Sequence, residues 1–350
     1  MKANRLEHFD FARFLAITGV IACHAYGMGY ENPGTNFYSL GRFGVQLFFL
    51  ISGATVFLSF KKIIKKYKNP YQIFYTRRLF RILPLFVFIG LLEFFMKGGS
   101  FLSFFSPFSG LLPDTQNSIP GGWSIWNELY FYLFFPFYYS LRKNSKFVTL
   151  IAIFFAVLSI FINFRLFPFG EFQAANWNDY DYLNFFTQFI CFATGVEIIG
   201  NRYKNISIFC LVYFIFGIIF KILFFNENLL VADRGPLYFL PFISIIMFAL
   251  IKLLEKINFS VLKNLRFFPL SLFLNFGKIT YTSYFLHFYI IYLLNFVFTL
   301  TIKPMWFSSN FAILITIILT YFGSIILTPF TEVIWVKIGR KFSKNVLQQV

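Results

Sequence analysis

Runs of apolar residues of membrane length recur along the whole chain and limit the folds open to it. A window of about 20 residues, the length of a transmembrane helix, finds ten such runs. They lie near residues 9–29, 43–60, 82–96, 124–141, 147–164, 183–200, 206–225, 236–254, 279–300 and 309–331. Because 58% of the 350 residues are hydrophobic and 13% are charged, a soluble domain could not bury so much apolar surface. We therefore predict an all-α fold, a polytopic membrane bundle of about ten transmembrane helices.

The charges between these runs predict the orientation of the bundle. When successive connections are assigned alternately to two sides, 24 of the 31 Lys and Arg share the side of both termini and 6 lie opposite. Since inner loops of membrane proteins collect Lys and Arg, both termini are predicted to be cytoplasmic. The net charge of +17 then follows from membrane topology, and no nucleic acid partner is expected. We predict a transmembrane domain over 1–336 and a basic cytoplasmic tail over 337–350.

Three weaker sequence features complete this outline. The cysteines lie in apolar runs at spacings that suggest neither a disulfide framework nor a metal site. The N-terminus resembles a signal peptide, but Asp10 and Arg13 interrupt its apolar run and no cleavage site follows, so we expect it to be retained. The connection 97–122 is rich in Gly, Ser and Pro and is predicted to be an outer loop covering a cavity.

The first run carries Asp10, Arg13 and His24. A charged side chain at mid-bilayer costs about 2.5–3.5 kcal/mol, so such groups usually face the protein interior. At about 100° per residue, Arg13 and His24 fall within about 20° of one helix face, and Asp10 lies about 40° from His24. One interpretation is a shared functional stripe. The alternative is a structural ion pair between Asp10 and Arg13 with a structural histidine beyond it.

The fourth run, "GGWSIWNELYFYLFFPF", places Glu128 at a predicted depth similar to that of His24. A carboxylate beside an imidazole is an acid–base arrangement, because each group shifts the proton affinity of the other. The alternative is a hydrogen bond that locks two helices together. Trp123, at the start of the run, is typical of an interfacial aromatic belt and is also a candidate for the substrate cavity.

Two further stretches contain candidate residues. In "FYTRRLFRILP", Arg77, Arg78 and Arg81 lie where an inner connection meets a membrane helix, in a pattern suited to phosphate binding. Ordinary inner-loop charge and lipid headgroup contact are the alternatives. In "TYTSYFLHFYIIY", Tyr284 and His287 fall on one helix side, which indicates a polar cavity unless His287 is a structural residue.

Together these stretches resemble the acyltransferase 3 family of integral-membrane enzymes. The points of resemblance, which spread across nearly the whole chain, are Asp10 followed by the Arg13-ten residues-His24 spacing, "GRFGVQLFFLISG" at 41–53, the Arg78-x-x-Arg81 pair, "WSIWNELYFY" at 123–132 and "TYTSYFLH" at 280–287. Two departures stand out. Gln46 occupies a position where many members have an acidic residue, and no hydrolase-like domain follows the last run, as in the stand-alone branch of the family.

The resemblance implies an O-acyltransferase of the bacterial cytoplasmic (inner) membrane. It implies acetyl-CoA as the donor, entering from the cytoplasm, and a carbohydrate acceptor such as a surface polysaccharide or its lipid-linked precursor, with no metal. By resemblance, Arg13 and His24 carry the family's Arg/His motif, and Arg78 and Arg81 its Arg pair. We then expect His24 to act as the general base or to carry the acetyl group briefly. Glu128 would orient His24 or stabilise its charged form.

Three other functions fit a membrane bundle that contains polar groups. A transporter or flippase of a lipid-linked sugar also needs polar side chains that face a cavity, but the chain shows no inverted repeat. A polysaccharide polymerase would be expected to carry a larger outer loop than 97–122. A scaffolding role does not account for two intramembrane histidines. The sequence alone therefore favours the acyltransferase and leaves the acceptor sugar open.

Overall fold

Every regular element in the described part of the computed structural model is helical. The model describes residues 7–26, 36–98, 119–163, 183–225, 236–263, 269–300 and 309–345. The helices are α1 (Glu7–Tyr26), α2 (Asn36–Lys66), α3 (Pro70–Lys97), α4 (Gly122–Leu141), α5 (Ser145–Asn163), α6 (Phe185–Gly200), α7 (Tyr203–Phe225), α8 (Pro236–Lys256), α9 (Phe259–Lys263), α10 (Leu270–Lys278), α11 (Thr280–Leu300), α12 (Ser309–Thr328), a π-helical turn (Pro329–Val333) and α13 (Ile334–Asn345).

The ten predicted apolar runs coincide with helices α1 to α8, α11 and α12. In the described residues, four helical segments are long and apolar enough to cross a membrane: Gly41–Lys66, Pro70–Lys97, Ser145–Ile162 and Asn310–Ser343. Two shorter apolar helices are Phe185–Gly200 and Tyr203–Ile219. The all-helical class is confirmed, while the count of ten crossings and the cytoplasmic termini stay predictions.

The structure differs from the sequence analysis at the ends of the runs. The basic segment 61–81, predicted as a connection, is helical except for a short turn around residues 67–69. Pro70 begins α3 at a position where the backbone N–H would have no partner within the helix, so a proline there costs no helical hydrogen bond. The arginines of 77–81 therefore lie on a continuous helix. The loop predicted over 97–122 lies outside the described residues except at its ends.

The chain divides into two compact units, which we describe separately. Unit 1 comprises Met1–Ile51, Leu79–Val87 and Ala249–Phe342. Within it α1 packs against α10, α11 and α12, and α11 packs against α12. Gly277 of α10 lies so close to the carbonyl of Asp10 that a side chain there would collide with it, and a side chain at Gly44 of α2 would collide with the carbonyl of Ala16. These glycines let neighbouring backbones approach.

Unit 2 comprises Ser52–Arg78, Phe88–Phe248 and Ser343–Val350. Within it α4 packs on α6, and α5 packs on both α6 and α7. Aromatic rings fill its core: Phe131 stacks on Phe192 at 4.4 Å between ring centroids, and Phe155 meets the edge of Phe189 at the same distance. Gly53 of α2 packs directly on the carbonyl of Phe192. The phenylalanine-rich composition thus serves helix packing here.

Candidate active site

The imidazole rings of His24 and His287 lie side by side in unit 1. Their centroids are 5.4 Å apart, and the planes are tilted by 35°. His24 comes from the last turn of α1 and is exposed, whereas His287 lies in the second turn of α11 and is 0% exposed. The Phe288 ring packs against both, at 4.8 Å from His24 and 4.0 Å from His287. The structure thus brings together two histidines that are more than 260 residues apart in the chain.

The two nitrogens of His287 have different surroundings. Its Nδ1 lies 3.3 Å from the carbonyl oxygen of Ser283, one turn earlier in α11. Since a carbonyl only accepts hydrogen bonds, Nδ1 is the protonated nitrogen in the neutral ring and Nε2 carries the lone pair. That Nε2 is buried and has no hydrogen-bond partner in the described part of the chain. A buried polar atom left without a partner costs free energy and calls for an explanation.

Helix α11 is held to α12 and to the π-helical turn that follows it by hydroxyl contacts close to this ring. The Ser283 hydroxyl donates to Ser324 at 2.9 Å, and Thr282 and Thr331 share a hydrogen bond of 2.9 Å. Tyr284 is buried, with its ring 5.9 Å from His287 and 6.3 Å from Phe48. Tyr284 and His287, both predicted for the substrate cavity, thus belong to a packed layer, and the exposed ring beside them is that of His24.

Asp10 and Arg13 form the ion pair considered in the sequence analysis. Arg13 Nη1 lies 2.9 Å from Asp10 Oδ1, and the side chains of Arg13 and Asp10 are 18% and 1% exposed. The pair joins residues three apart on α1 and lies where α10 packs on the Asp10 backbone. The structural interpretation therefore has direct support, and catalytic roles for these two residues stay predictions.

Glu128 is positioned within unit 2 by two hydroxyl groups. Its Oε1 accepts a hydrogen bond of 2.5 Å from Ser52 Oγ of α2 and another from the Tyr132 hydroxyl one turn along α4. The sequence analysis missed both partners, although a Glu and a Tyr four residues apart on a helix are neighbours. The hypothesis that Glu128 orients His24 stays a prediction.

Arg78 is buried against aromatic rings in unit 2. Its guanidinium carbon lies 5.4 Å from the ring centroid of Tyr132 and 5.7 Å from that of Phe74, and the residue is 7% exposed. Cation–π contacts of this kind contribute up to about 2 kcal/mol when desolvated. The same tyrosine therefore contacts Arg78 with its ring and Glu128 with its hydroxyl, which links two predicted site residues.

The other two arginines of α3 have protein partners of their own. In unit 2, Arg77 donates to the Ser343 hydroxyl at 3.1 Å and to the Tyr67 hydroxyl at 2.9 Å, and its guanidinium lies over the Tyr67 ring. In unit 1, Arg81 Nε lies 3.8 Å from Glu332 Oε1, and the Arg81 side chain is 39% exposed. Arg77 thus has two hydroxyl partners and a ring contact, and the Arg81 side chain keeps more than a third of its surface exposed.

The structure does not assign a role to Trp123 or Gln46, two residues singled out by the sequence. Trp123 is half-buried near the start of α4, which fits either of its predicted roles. Gln46, the departure from the family pattern, is 2% exposed, and its Oε1 has no hydrogen-bond partner among the described residues. The neutral amide thus avoids placing an unpaired negative charge there.

The sequence analysis also missed a buried ion pair in unit 2. Arg142 at the end of α4 donates through Nη2 to Glu197 Oε2 at 2.5 Å and through Nε to Oε1 at 2.9 Å. The Tyr138 hydroxyl donates to the same Oε1 at 2.6 Å, and Asn205 donates to the Arg142 carbonyl. The guanidinium also lies over the Phe57 ring. Arg142 had been counted only as an inner-loop charge, and nothing in its local pattern identifies its partner.

Comparison with known families assigns the chain. The model of the acyltransferase 3 family, described as an acyltransferase domain, matches residues 6–329, nearly the whole chain. The chain belongs to the acyltransferase 3 family. No curated protein and no solved structure gives a match. The resemblance found in the sequence is therefore confirmed, and family membership together with the apolar helices identifies a multi-pass membrane acyltransferase.

Proposed function

We propose that this acyltransferase 3 member is an O-acetyltransferase of the bacterial inner membrane. Its donor would be acetyl-CoA from the cytoplasm, and its acceptor a hydroxyl of a surface polysaccharide or of the lipid-linked precursor. The observation that carries the proposal is the exposed imidazole of His24, which lies beside the buried ring of His287. An accessible imidazole with a second imidazole behind it suits proton transfer from a hydroxyl.

In the proposed reaction the acceptor hydroxyl attacks the thioester carbonyl of acetyl-CoA. His24 takes the hydroxyl proton as the carbon–oxygen bond forms, and the carbon–sulfur bond then breaks. The departing thiolate receives the proton from His24, so that an acetyl ester and free coenzyme A are the products. A route through an acetylated His24 uses the same groups in two steps and stays an alternative.

The roles of the arginines and of Glu128 in this reaction are also proposals. Arg78 and Arg81 would bind the phosphates of coenzyme A, since a guanidinium can donate two parallel hydrogen bonds to a phosphate. The exposure of Arg81 supports its part directly. For Arg78, the aromatic faces around the guanidinium would hold the cation in place while its N–H groups bind the donor. Glu128, with two hydroxyl donors, is suited to electrostatic stabilisation.

The test uses purified protein in lipid nanodiscs with acetyl-CoA and surface polysaccharide from a strain that lacks the gene. We expect release of coenzyme A thiol together with O-acetylation of the polysaccharide. His24→Ala should abolish both, because general-base catalysis contributes about 10²–10⁴-fold. His8→Ala is the matched control, since His8 lies on the same helix outside the histidine pair, and it should leave the rate unchanged.

Two results would overturn the proposal. Movement of a lipid-linked sugar across the membrane without thioester consumption would favour the flippase. Equal acetylation by the wild type and His24→Ala would exclude His24 as the base.

A further inference from the structure

The buried Nε2 of His287 is a polar atom that no described residue satisfies. Helices α11 and α12 contain no Asp, Glu, Lys or Arg, and His287 is their single histidine. On α1, the helix packed against both, the ionisable groups are Glu7, His8 and the Asp10–Arg13 pair near its start, and Cys23, His24 and Tyr26 near its end. Among the described rings in contact with His287, which are those of His24, Tyr284 and Phe288, the imidazole of His24 is the one that exchanges a proton near neutral pH.

The geometry fixes what His287 can do. It is 0% exposed, so it cannot touch a substrate that reaches the exposed ring of His24. Its Nδ1–H is directed to the Ser283 carbonyl, which leaves the Nε2 lone pair as a hydrogen-bond acceptor. The hydroxyl contact between Ser283 and Ser324 and the packing of Phe288 hold the ring in place.

We infer that His287 is a positioning residue that accepts a hydrogen bond from the ring of His24. The inference rests on the proposed function and deepens it. When His24 takes the acceptor's proton, both of its nitrogens carry hydrogen, and the N–H that faces away from the substrate donates to His287 Nε2. The proton that His24 gained passes on to the coenzyme A thiolate, so the pair holds the same number of protons before and after the reaction. His287 thus does for His24 what a carboxylate does for the histidine of a serine protease.

Two substitutions at position 287 separate this role from simple packing. In His287→Gln the amide oxygen can still accept a hydrogen bond, whereas His287→Phe keeps a flat ring among aromatic neighbours and offers no acceptor. We expect kcat to fall about tenfold in the Gln variant and about 100-fold or more in the Phe variant, within the range of acid–base effects. The KM for acetyl-CoA should stay within about twofold, because no donor-binding group changes.

The opposite order of the two variants would overturn the inference. If His287 only packs, the Phe variant retains as much activity as the Gln variant or more. Thermal unfolding of both in nanodiscs shows whether each is folded. If neither folds, His287→Ala decides: free imidazole should restore its activity and pyrrole, which has the same shape without a basic nitrogen, should not. Equal rescue by both compounds would mean packing alone.

Failure of this inference differs from failure of the proposed function. If the wild-type protein acetylates polysaccharide but the Phe variant is more active than the Gln variant, the proposed function stands and the role of His287 is excluded. A wild-type protein that consumes no acetyl-CoA removes the function itself.

Discussion

The ion pair of unit 2 and the histidine pair of unit 1 differ in how completely their polar atoms are hydrogen-bonded. Arg142 and Glu197 are joined by two hydrogen bonds, and Tyr138 and Asn205 add two more. His287 has a backbone partner at Nδ1 and, among the described residues, none at Nε2. A fully bonded cluster stabilises a fold, whereas an open lone pair beside an accessible imidazole can accept a hydrogen bond when that imidazole takes up a proton.

The largest effect is expected from a substitution in the hydrogen-bonded cluster of Arg142 and Glu197. Arg142→Met leaves the Glu197 carboxylate buried without its cation, which destabilises a protein by about 3–5 kcal/mol. We expect a large fall in the thermal unfolding midpoint in detergent, with the acetylation rate per folded molecule unchanged. The double variant Arg142→Met with Glu197→Leu removes both charges and should recover most of the loss. A double variant as unstable as the single one would contradict the account.

A smaller effect is expected at the ion pair of α1, which belongs to the same unit as the histidines. Arg13→Gln replaces a charge-assisted hydrogen bond to the buried Asp10 by a weaker one, at about 1–3 kcal/mol. The unfolding midpoint should fall by less than for Arg142→Met. Acetylation per folded molecule, measured on the same sample, then tests the catalytic role predicted from the sequence. A variant as stable as the wild type would show that the pair does not contribute to the stability of unit 1.

The variant Tyr132→Phe tests whether the hydrogen bond between Tyr132 and Glu128 in unit 2 contributes to catalysis. It keeps the ring under Arg78 and removes the hydroxyl from Glu128. A hydrogen bond to a charged group contributes about 1.5–3 kcal/mol, so we expect kcat to fall about tenfold or more with KM for acetyl-CoA unchanged. Tyr139→Phe is the matched control two turns along α4, where the ring packs on Phe57 and Phe60. Equal activity of the two variants would show that the Tyr132 hydroxyl has no role in the reaction.

The smallest effect concerns an ion pair at the surface of unit 1. Lys263 and Glu7 are paired with side chains that are 40% and 34% exposed. Such pairs contribute less than about 1 kcal/mol and are screened by salt. Glu7→Gln should change the unfolding midpoint slightly at low salt and not at all at high salt. A shift as large as that of Arg142→Met would mean that exposure does not determine how much an ion pair contributes to the stability of this protein.

Much of the helical fold could be predicted because hydrophobic runs of membrane length are a local property. The ten runs coincide with helices. The helical extensions of 61–66 and 70–81 were missed because their lysines and arginines interrupt the apolar pattern without preventing a helix. Helices α9 and α10, with 5 and 9 residues, are shorter than any membrane-spanning window, and α13 lies mostly in the segment predicted as a basic tail.

The sequence marks candidate site residues one by one and also the Asp10–Arg13 pair, but it does not predict the contacts between residues far apart in the chain. His24 and Glu128 stand out because a charge in an apolar run is expensive. Ser52, which binds Glu128, has no such cost and no pattern to mark it. The contact between His24 and His287 depends on how α1 and α11 pack, which the periodicity of either helix does not determine.

The glycines of the stretch 41–53 offer a structural reason for its use in recognising members of the family. Gly44 and Gly53 each face the carbonyl of a neighbouring helix, where a methyl group would collide with backbone. A family signature can therefore record where two helices cross and say nothing about the reacting groups. Grafting "GRFGVQLFFLISG" into an unrelated bundle would transfer a spacing between helices, and enzymatic activity would not accompany it.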